Sequence, residues 1–461
     1  MTTATKYDTY PKYKPSGIDW LGDIPDKWNV EYMKNLGRFG SSGIDKKIVE
    51  GEPLVQMVNY TDIYGNESRM IDSKRELMTV SCPAWKISEA NLIKGDLVFT
   101  PSSETTEDIG LSALISENLK NTVFSYHVIR FRFSKGLDNE FKKYLCNNTF
   151  VWQQFSRLAK GTTRQILDRN DFKNIFVVIP SVEEQKSIAD FLDRETARID
   201  EVVAKKQKLM ELFKEKRQAL ITHAVTKGLD PKAKMKPSGI DWLGNIPEGW
   251  EVKRFGFLFS FNKGLSITKE NLQDEGIPCV NYGEIHSKYG FEVNPLEDDL
   301  KCVSKDYLKD NQGSILNFGD FIFADTSEDI KGSGNFTYLN SREVTFAGYH
   351  TIIAKLHIQM NFRFLAYLFD SVNYRTQIRS MVAGIKVYSI TKEILKNTFV
   401  LLPSFLEQKS IVAFLDRETV KIDEMMKKVE IQIEKLHEYR QVLITSAVTG
   451  KIKVEPTFSM V

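Results

Sequence analysis

The sequence predicts an α+β chain: two mixed α/β domains in tandem, each followed by a long helix. Three observations predict it. The chain repeats itself at a domain-sized interval. A near-constant repeated stretch carries heptad spacing behind a helix cap. The stretches between the constant blocks mix strand alternation with helical spacing.

The repeat has three blocks in the same order in each half. Lys14 to Val30 reads K-P-S-G-I-D-W-L-G-D-I-P-D-K-W-N-V, and Lys236 to Val252 reads K-P-S-G-I-D-W-L-G-N-I-P-E-G-W-E-V. From Pro180 the chain reads P-S-V-E-E-Q-K-S-I-A-D-F-L-D-R-E-T-A-R-I-D-E, matched from Pro403 by P-S-F-L-E-Q-K-S-I-V-A-F-L-D-R-E-T-V-K-I-D-E. Arg217 opens R-Q-A-L-I-T-H-A-V-T and Arg440 opens R-Q-V-L-I-T-S-A-V-T. Shorter echoes keep register between them: Asn59-Tyr60-x-Asp62-Ile63 with Asn281-Tyr282-x-Glu284-Ile285, Gly95-Asp96 with Gly319-Asp320, and Tyr126-His127 with Tyr349-His350. A domain-sized period excludes a short-repeat solenoid.

Taken in order, the segments divide as 1–180, 181–228, 229–403, 404–450 and a tail 451–461. In each domain a Gly-Asp turn leads into an apolar run, Val128 to Phe133 alternates like a half-buried strand, and Phe141 to Leu158 and Phe362 to Met381 carry helical spacing. Ser181-x-x-Glu184 and Ser404-x-x-Glu407 read as capping boxes that start the long helices. The predicted seams are Ile188, Leu192, Ile199, Val202, Leu209, Phe213 and Leu220, then Ile411, Leu415, Ile422, Met425, Val429, Leu436, Tyr439 and Leu443. Glu195, Lys206, Lys216, Glu418 and Gln432 interrupt them. Each repeated helix, at roughly 40 residues and ~1.5 Å per residue, is ~60 Å long. Lys227 to Lys234 is a Gly/Pro/Lys joint between the halves.

Composition narrows the function. The 461 residues are 42% hydrophobic and 27% charged, enough for real cores. Lys and Arg number 63 against 61 Asp and Glu, so any phosphate-binding surface is a local patch. No apolar run approaches membrane-spanning length, and the first residues lack the apolar core of a signal peptide. Four scattered cysteines fit a reducing compartment and give no structural zinc site, so the chain is expected in the cytoplasm with no metal of its own. There is no phosphate loop and no N-P-P-[FYW] methylation motif. Pro25-Asp26 with Asp45-x-Lys47 fits a loose nuclease string, but the second half lacks the acid, and chance explains it better. No catalytic residues are assigned.

Polar side chains suited to nucleic acid cluster in a few stretches. Asn59 and Thr61 lie after one apolar run, with Asn281 and Tyr282 in the second copy. Ser102, Ser103 and Glu104 follow another, matched by Thr326, Ser327 and Glu328. Lys160, Thr162, Thr163, Arg164 and Gln165 form one polar loop beside Arg157, and Arg375, Arg379 and Lys386 stand in the matching region. His127 is a further candidate. It and His350 read more readily as structural histidines than as DNA contacts, and least as metal ligands, since neither has a second ligand at metal spacing. Taken singly, such clusters are usually solvated loops. Two diverged heads on a constant support nevertheless describe a two-headed binder.

The three repeated blocks resemble those of the specificity subunit of type I restriction–modification systems, and the resemblance covers essentially the whole chain. It implies two target-recognition domains, each followed by a conserved helix, with the helices packed as an antiparallel coiled coil with pseudo-two-fold symmetry, acting as a spacer. It implies a bipartite double-stranded DNA target with a non-specific gap, one domain per half. It implies no catalysis and no cofactor in this subunit: two methyltransferase (modification) subunits bring S-adenosylmethionine, and two restriction (endonuclease/translocase) subunits bring ATP- and Mg-dependent translocation and cleavage. The alternatives are a self-contained nuclease or methyltransferase, and a coiled-coil scaffold with protein-binding heads.

Overall fold

The computed structural model describes residues 7–241, 243–384 and 387–455. They form two compact units, one holding the residues up to Gln207 and those from Ile431, the other running from Lys208 to Glu430. Each unit thus contains one globular domain, the first half of the helix that follows it, and the last part of the other helix.

In the first unit a five-stranded sheet runs in the order Gly37–Gly40, Ile129–Phe133, Leu97–Phe99, Ser112–Ile115, Met70–Ile71. Its pairs are antiparallel except the last, which is parallel. A three-stranded sheet, Thr122–Phe124, Leu54–Val58, Met78–Ser81, lies in the same domain. The second unit repeats the larger sheet as Phe259–Lys263, Thr351–Leu356, Phe321–Ala324, Phe336–Leu339, Phe291–Val293, with the same pairing senses. Its smaller sheet has four strands, Cys302–Val303, Ile277–Val280, Thr345–Ala347 and Ile315–Leu316.

The Gly-Asp echo explains how the central strand of each large sheet begins. Gly95 and Gly319 have φ of 89° and 86°, a region that costs a residue with a Cβ. The following Asp96 accepts from the Ile93 N–H at 3.0 Å and forms an ion pair with Arg132 at 2.7 Å on the neighbouring strand. Asp320 accepts from the Asn317 N–H at 2.8 Å and pairs with Lys355 at 3.4 Å. The apolar runs after them are buried on both faces. The helical stretches expected over Phe141–Leu158 and Phe362–Met381 are each two helices. Asn148 and Ser371 interrupt them, because each side chain accepts from a backbone N–H three residues on and starts a new helix.

The long helices span Val182–Lys227 and Phe405–Val448. Ser181 and Ser404 accept from the Glu184 and Glu407 N–H groups at 3.4 and 3.3 Å, which is half of a capping box. Glu184 does not complete the box: it accepts from the indole N–H of buried Trp28 at 3.0 Å. In the first unit Arg440 meets Asp200 at 2.9 Å and Lys206 meets Gln432 at 2.6 Å, so the two helix segments run antiparallel. In the second unit the equivalent residues meet reciprocally, Arg217 on Asp423 at 3.2 Å.

The seam is displaced from the predicted one in mid-helix. Ile188, Leu192, Ile199, Ile411, Leu415, Ile422, Val429 and Leu443 are buried, and Phe213, Leu220, Leu436 and Tyr439 half-buried. Val202, Leu209 and Met425 are exposed; Val203, Met210 and Met426 are more buried. At the glutamate interruptions the buried residues are the neighbours, Thr196 and Thr419, each donating to the carbonyl four residues back. Adjacent apolar residues fit both a 3.5- and a 3.6-residue period over a short window, and the drift of about 20° per heptad decides between them only along the whole helix.

The repeated blocks hold domain to helix. Asp193 accepts from Tyr144 and Lys143, both at 2.5 Å, and Asp416 accepts from Tyr367 at 2.6 Å and Arg363 at 2.7 Å. Gln185 and Gln408 accept from the Asp138 and Asn361 N–H groups, the N-caps of domain helices, while donating to Pro180 and Pro403. Thr445 and Thr222 accept from the N–H groups of Thr149 and Val372, at the starts of two others. The S-G-I-D-W-L-G hairpin closes a helix end: Lys451 donates to the Leu21 and Asp23 carbonyls, and Lys227 to those of Leu243 and Asn245. Among the described residues no helix is long and apolar enough to cross a membrane.

Candidate nucleic-acid interface

In each unit the structure joins two polar stretches that lie some 60 residues apart in sequence. Ser102–Ser103 pairs antiparallel with Gln165–Ile166, Gln165 opposite Ser103. Thr326–Ser327 pairs with Tyr388–Ser389 in the same way. Both ribbons start where the central strand ends, tied by Leu167 N–H to Pro101 at 2.8 Å and by Ile390 N–H to Asp325 at 2.8 Å. The turn carrying Thr162, Thr163 and Arg164 needs Gly161, at φ 126°, because a Cβ there would strike the Arg164 carbonyl.

Around the first ribbon lie His127, Arg164, Arg169, Ser41 and Ser102, lining an open cavity of about 400 Å³. The Tyr126 and His127 rings lie 3.8 Å apart. Burial and then the nearby Arg164 and Lys46 push His127 below the usual histidine range, so the ring is a neutral hydrogen-bonding group beside cations. Tyr60 and Tyr64 stack at 5.2 Å. Asp108 accepts from Tyr64, Ser103 and Thr105 hydroxyls. Burial raises its carboxyl, but these three donors outweigh it and hold the group below the usual range.

Around the second ribbon His286 bridges the Thr326 carbonyl at 2.8 Å and the Asn335 amide at 2.9 Å. Arg375 continues the network to Asn335 at 2.6 Å and Asp370 at 3.0 Å. His350 lies against Asp325, with Tyr282 edge-on at 5.2 Å.

The predicted contact residues divide. Thr61, Glu104, Thr162, Thr163, Arg164 and Glu328 are exposed, and Gln165, Thr326, His127 and Tyr282 partly so. Asn59 and Asn281, candidates for contact in the sequence, are buried here and complete capping boxes with Asp62 and Glu284. The sequence signal was present, since the Asn-x-x-acid echo is itself a capping box. Ser102, Ser103 and Ser327 are buried, and the hydroxyls of Ser103 and Ser327 bond within the protein. Lys160 is exposed but lies 3.6 Å from both Asp168 and Asp171. Lys386 lies outside the described residues. Ser41, Arg169 and Asp325 were missed, because only the folded sheet brings them to the ribbons.

Two mixed domains with ribbon-borne polar loops, mounted on antiparallel helix segments, define a two-headed binding protein. The family model for the type I restriction modification DNA specificity domain matches residues 74–211 and 247–435, and the chain belongs to that family. It is 23% identical over 446 residues to the putative type I restriction enzyme MjaX specificity subunit of Methanocaldococcus jannaschii, covering 94% of this chain and 96% of that one. The MjaVIII specificity subunit of the same organism is 25% identical over 300 residues, 64% of this chain and 67% of that one. A chain from a solved structure describing assembly and conformational transition of the type I R-M system superposes with a TM-score of 0.67 at 16% identity, covering 93% of this chain and 99% of that one. That likeness is one of fold.

Proposed function

We propose that this chain is the DNA-recognition subunit of a type I restriction–modification complex, each unit reading one half of a bipartite double-stranded target. The observation that carries the reading is the duplicated ribbon: one scaffold presents two diverged sets of side chains, Thr162, Thr163 and Arg164 in one copy and Thr326, Glu328 and His350 in the other. A constant frame with variable readers suits two different half-sites. The subunit contributes no chemistry of its own. Two modification subunits supply adenine methylation from S-adenosylmethionine, two restriction subunits supply ATP- and Mg-dependent translocation and cleavage, and all work in the cytoplasm. The repeated helix blocks, among the least diverged stretches of the chain, are suited to holding partners common to many specificities.

Mapping methylated adenines in host DNA with this gene present and deleted tests the reading. A bipartite motif that vanishes with the gene supports it. Methylation or cleavage by the purified chain alone, given S-adenosylmethionine, Mg²⁺ and target DNA, would overturn it.

A further inference from the structure

His127 and His350 occupy equivalent turns but face different groups. Position 101 beside the first is proline, and the neighbouring charges are Arg164, Lys46 and Asp45. The equivalent position in the second unit is Asp325, whose N–H donates to the His350 carbonyl at 3.0 Å. The Asp325 Oδ1 lies 3.1 Å from His350 Nδ1 and also accepts from Thr326 Oγ1 at 2.9 Å. The rings of Tyr282 and Tyr349 stand edge-on to the imidazole at 5.2 and 6.0 Å. His350 has a φ of 56°, unfavourable for a residue with a Cβ, and such strain concentrates at working sites. The side chain is nevertheless 55% exposed, and Nε2 has no hydrogen-bond partner among the described residues.

This arrangement fixes what the ring offers. A carboxylate only accepts, so Nδ1 carries the proton toward Asp325, and in the neutral ring Nε2 is left as a bare acceptor. In the major groove the donors are the exocyclic amino groups of adenine and cytosine; guanine and thymine present acceptors there instead. We propose that His350 is a specificity-determining residue, its Nε2 accepting a hydrogen bond from the amino group of an adenine or cytosine in the half-site the second unit reads. The proposal rests on the recognition function above. It does not extend to His127, whose ring has no hydrogen-bonded carboxylate among the described residues to fix its tautomer.

The test uses the chain with its modification subunits at pH 8 and the target found by methylation mapping. Duplexes are made with one amino group removed at a time, purine replacing adenine or 2-pyrimidinone replacing cytosine. One removal should weaken binding of the natural chain roughly 5- to 150-fold, and the analogue responsible says which base is read. His350→Gly, at ease with the observed φ, should bind intact and amino-lacking duplexes equally at that position. Asp325→Asn can donate to Nδ1 and move the ring proton to Nε2, so it should shift preference there toward guanine or thymine. The proposal is overturned if every removal costs His350→Gly as much as the natural chain, if that variant weakens all duplexes uniformly, or if Asp325→Asn keeps the original preference. Any of these with half-site discrimination intact leaves the recognition function standing. A natural chain that does not discriminate half-sites at all removes that function instead.

Discussion

Arg164 stands exposed in the turn that Gly161 permits, lining one cavity with His127 beside the first ribbon. A guanidinium so placed either forks onto a guanine edge or holds a phosphate. Arg164→Ala should weaken binding by about 1–3 kcal/mol and relax one base position in the first case. In the second, the loss is uniform across sequences and the salt slope falls by about one. Binding assays on a panel of single-base target variants separate the two, and unchanged binding removes the turn from the interface. Asp108 sets the neighbouring loop that carries Glu104. Its carboxyl is held below its ordinary value. A depressed carboxylate stabilises the fold above its unfolded value of about 3.9 and loses that stabilisation as pH falls through the folded value. Hydrogen exchange at residues 103–110 should therefore be flat from neutral pH to about 5 once intrinsic rates are removed, and accelerate only below about 4. Asp108→Asn, with a weaker neutral acceptor, should exchange faster already at neutral pH. Equal protection in that variant would show that the hydroxyl cluster does not order the loop.

At the scale of elements, the long helices separate what sequence periodicity can decide from what it cannot. Their existence and starts were legible, because Pro-Ser caps and a repeated apolar stripe are local signals. Which of two adjacent apolar residues faces inward was not: Val203 is buried and Val202 exposed, and the choice is made by packing against the domain and the other helix. Leu192→Ala should therefore cost about 2–5 kcal/mol in urea unfolding, while Val202→Ala and Leu209→Ala should stay within about 0.5 kcal/mol. A large loss at Leu209 would mean that it is covered in the folded chain. The candidate contact loops show the same division. Ser102 to Glu104 and Thr162 to Gln165 were visible as polar stretches after apolar runs. Their pairing into one ribbon was not visible, because a two-residue strand leaves no periodic trace. Asn59 and Asn281 show the opposite case: the Asn-x-x-acid spacing is a local capping signal, and both residues cap helices in the structure.

At the scale of the whole chain, each helix lends its first half to one unit and its last part to the other. If these helices set the distance between half-sites, their length is a ruler that can be edited. Removing Leu209 to Glu215 together with Gln432 to Glu438 deletes one heptad from each, so the apolar seams stay in register. The contacts that tie each domain to its helices, from Asp193, Thr445, Asp416 and Thr222, lie outside both deletions. Each helix shortens by about 10 Å, which matches roughly three base pairs at ~3.4 Å each. Three base pairs also turn the duplex by roughly 100°, given 10–10.5 pairs per turn, whereas a heptad brings the helix face back to within about 20°. The shortened chain should keep both half-site sequences, prefer a gap about three pairs shorter, and bind more weakly because the DNA must twist to present both halves. Inserting three heptads into each helix adds about 31 Å, close to one full turn. That variant should prefer a gap about nine pairs longer with little loss of affinity. Methylation mapping of both variants reads the gap directly. An unchanged gap in both would mean that the modification subunits, and not these helices, fix the separation.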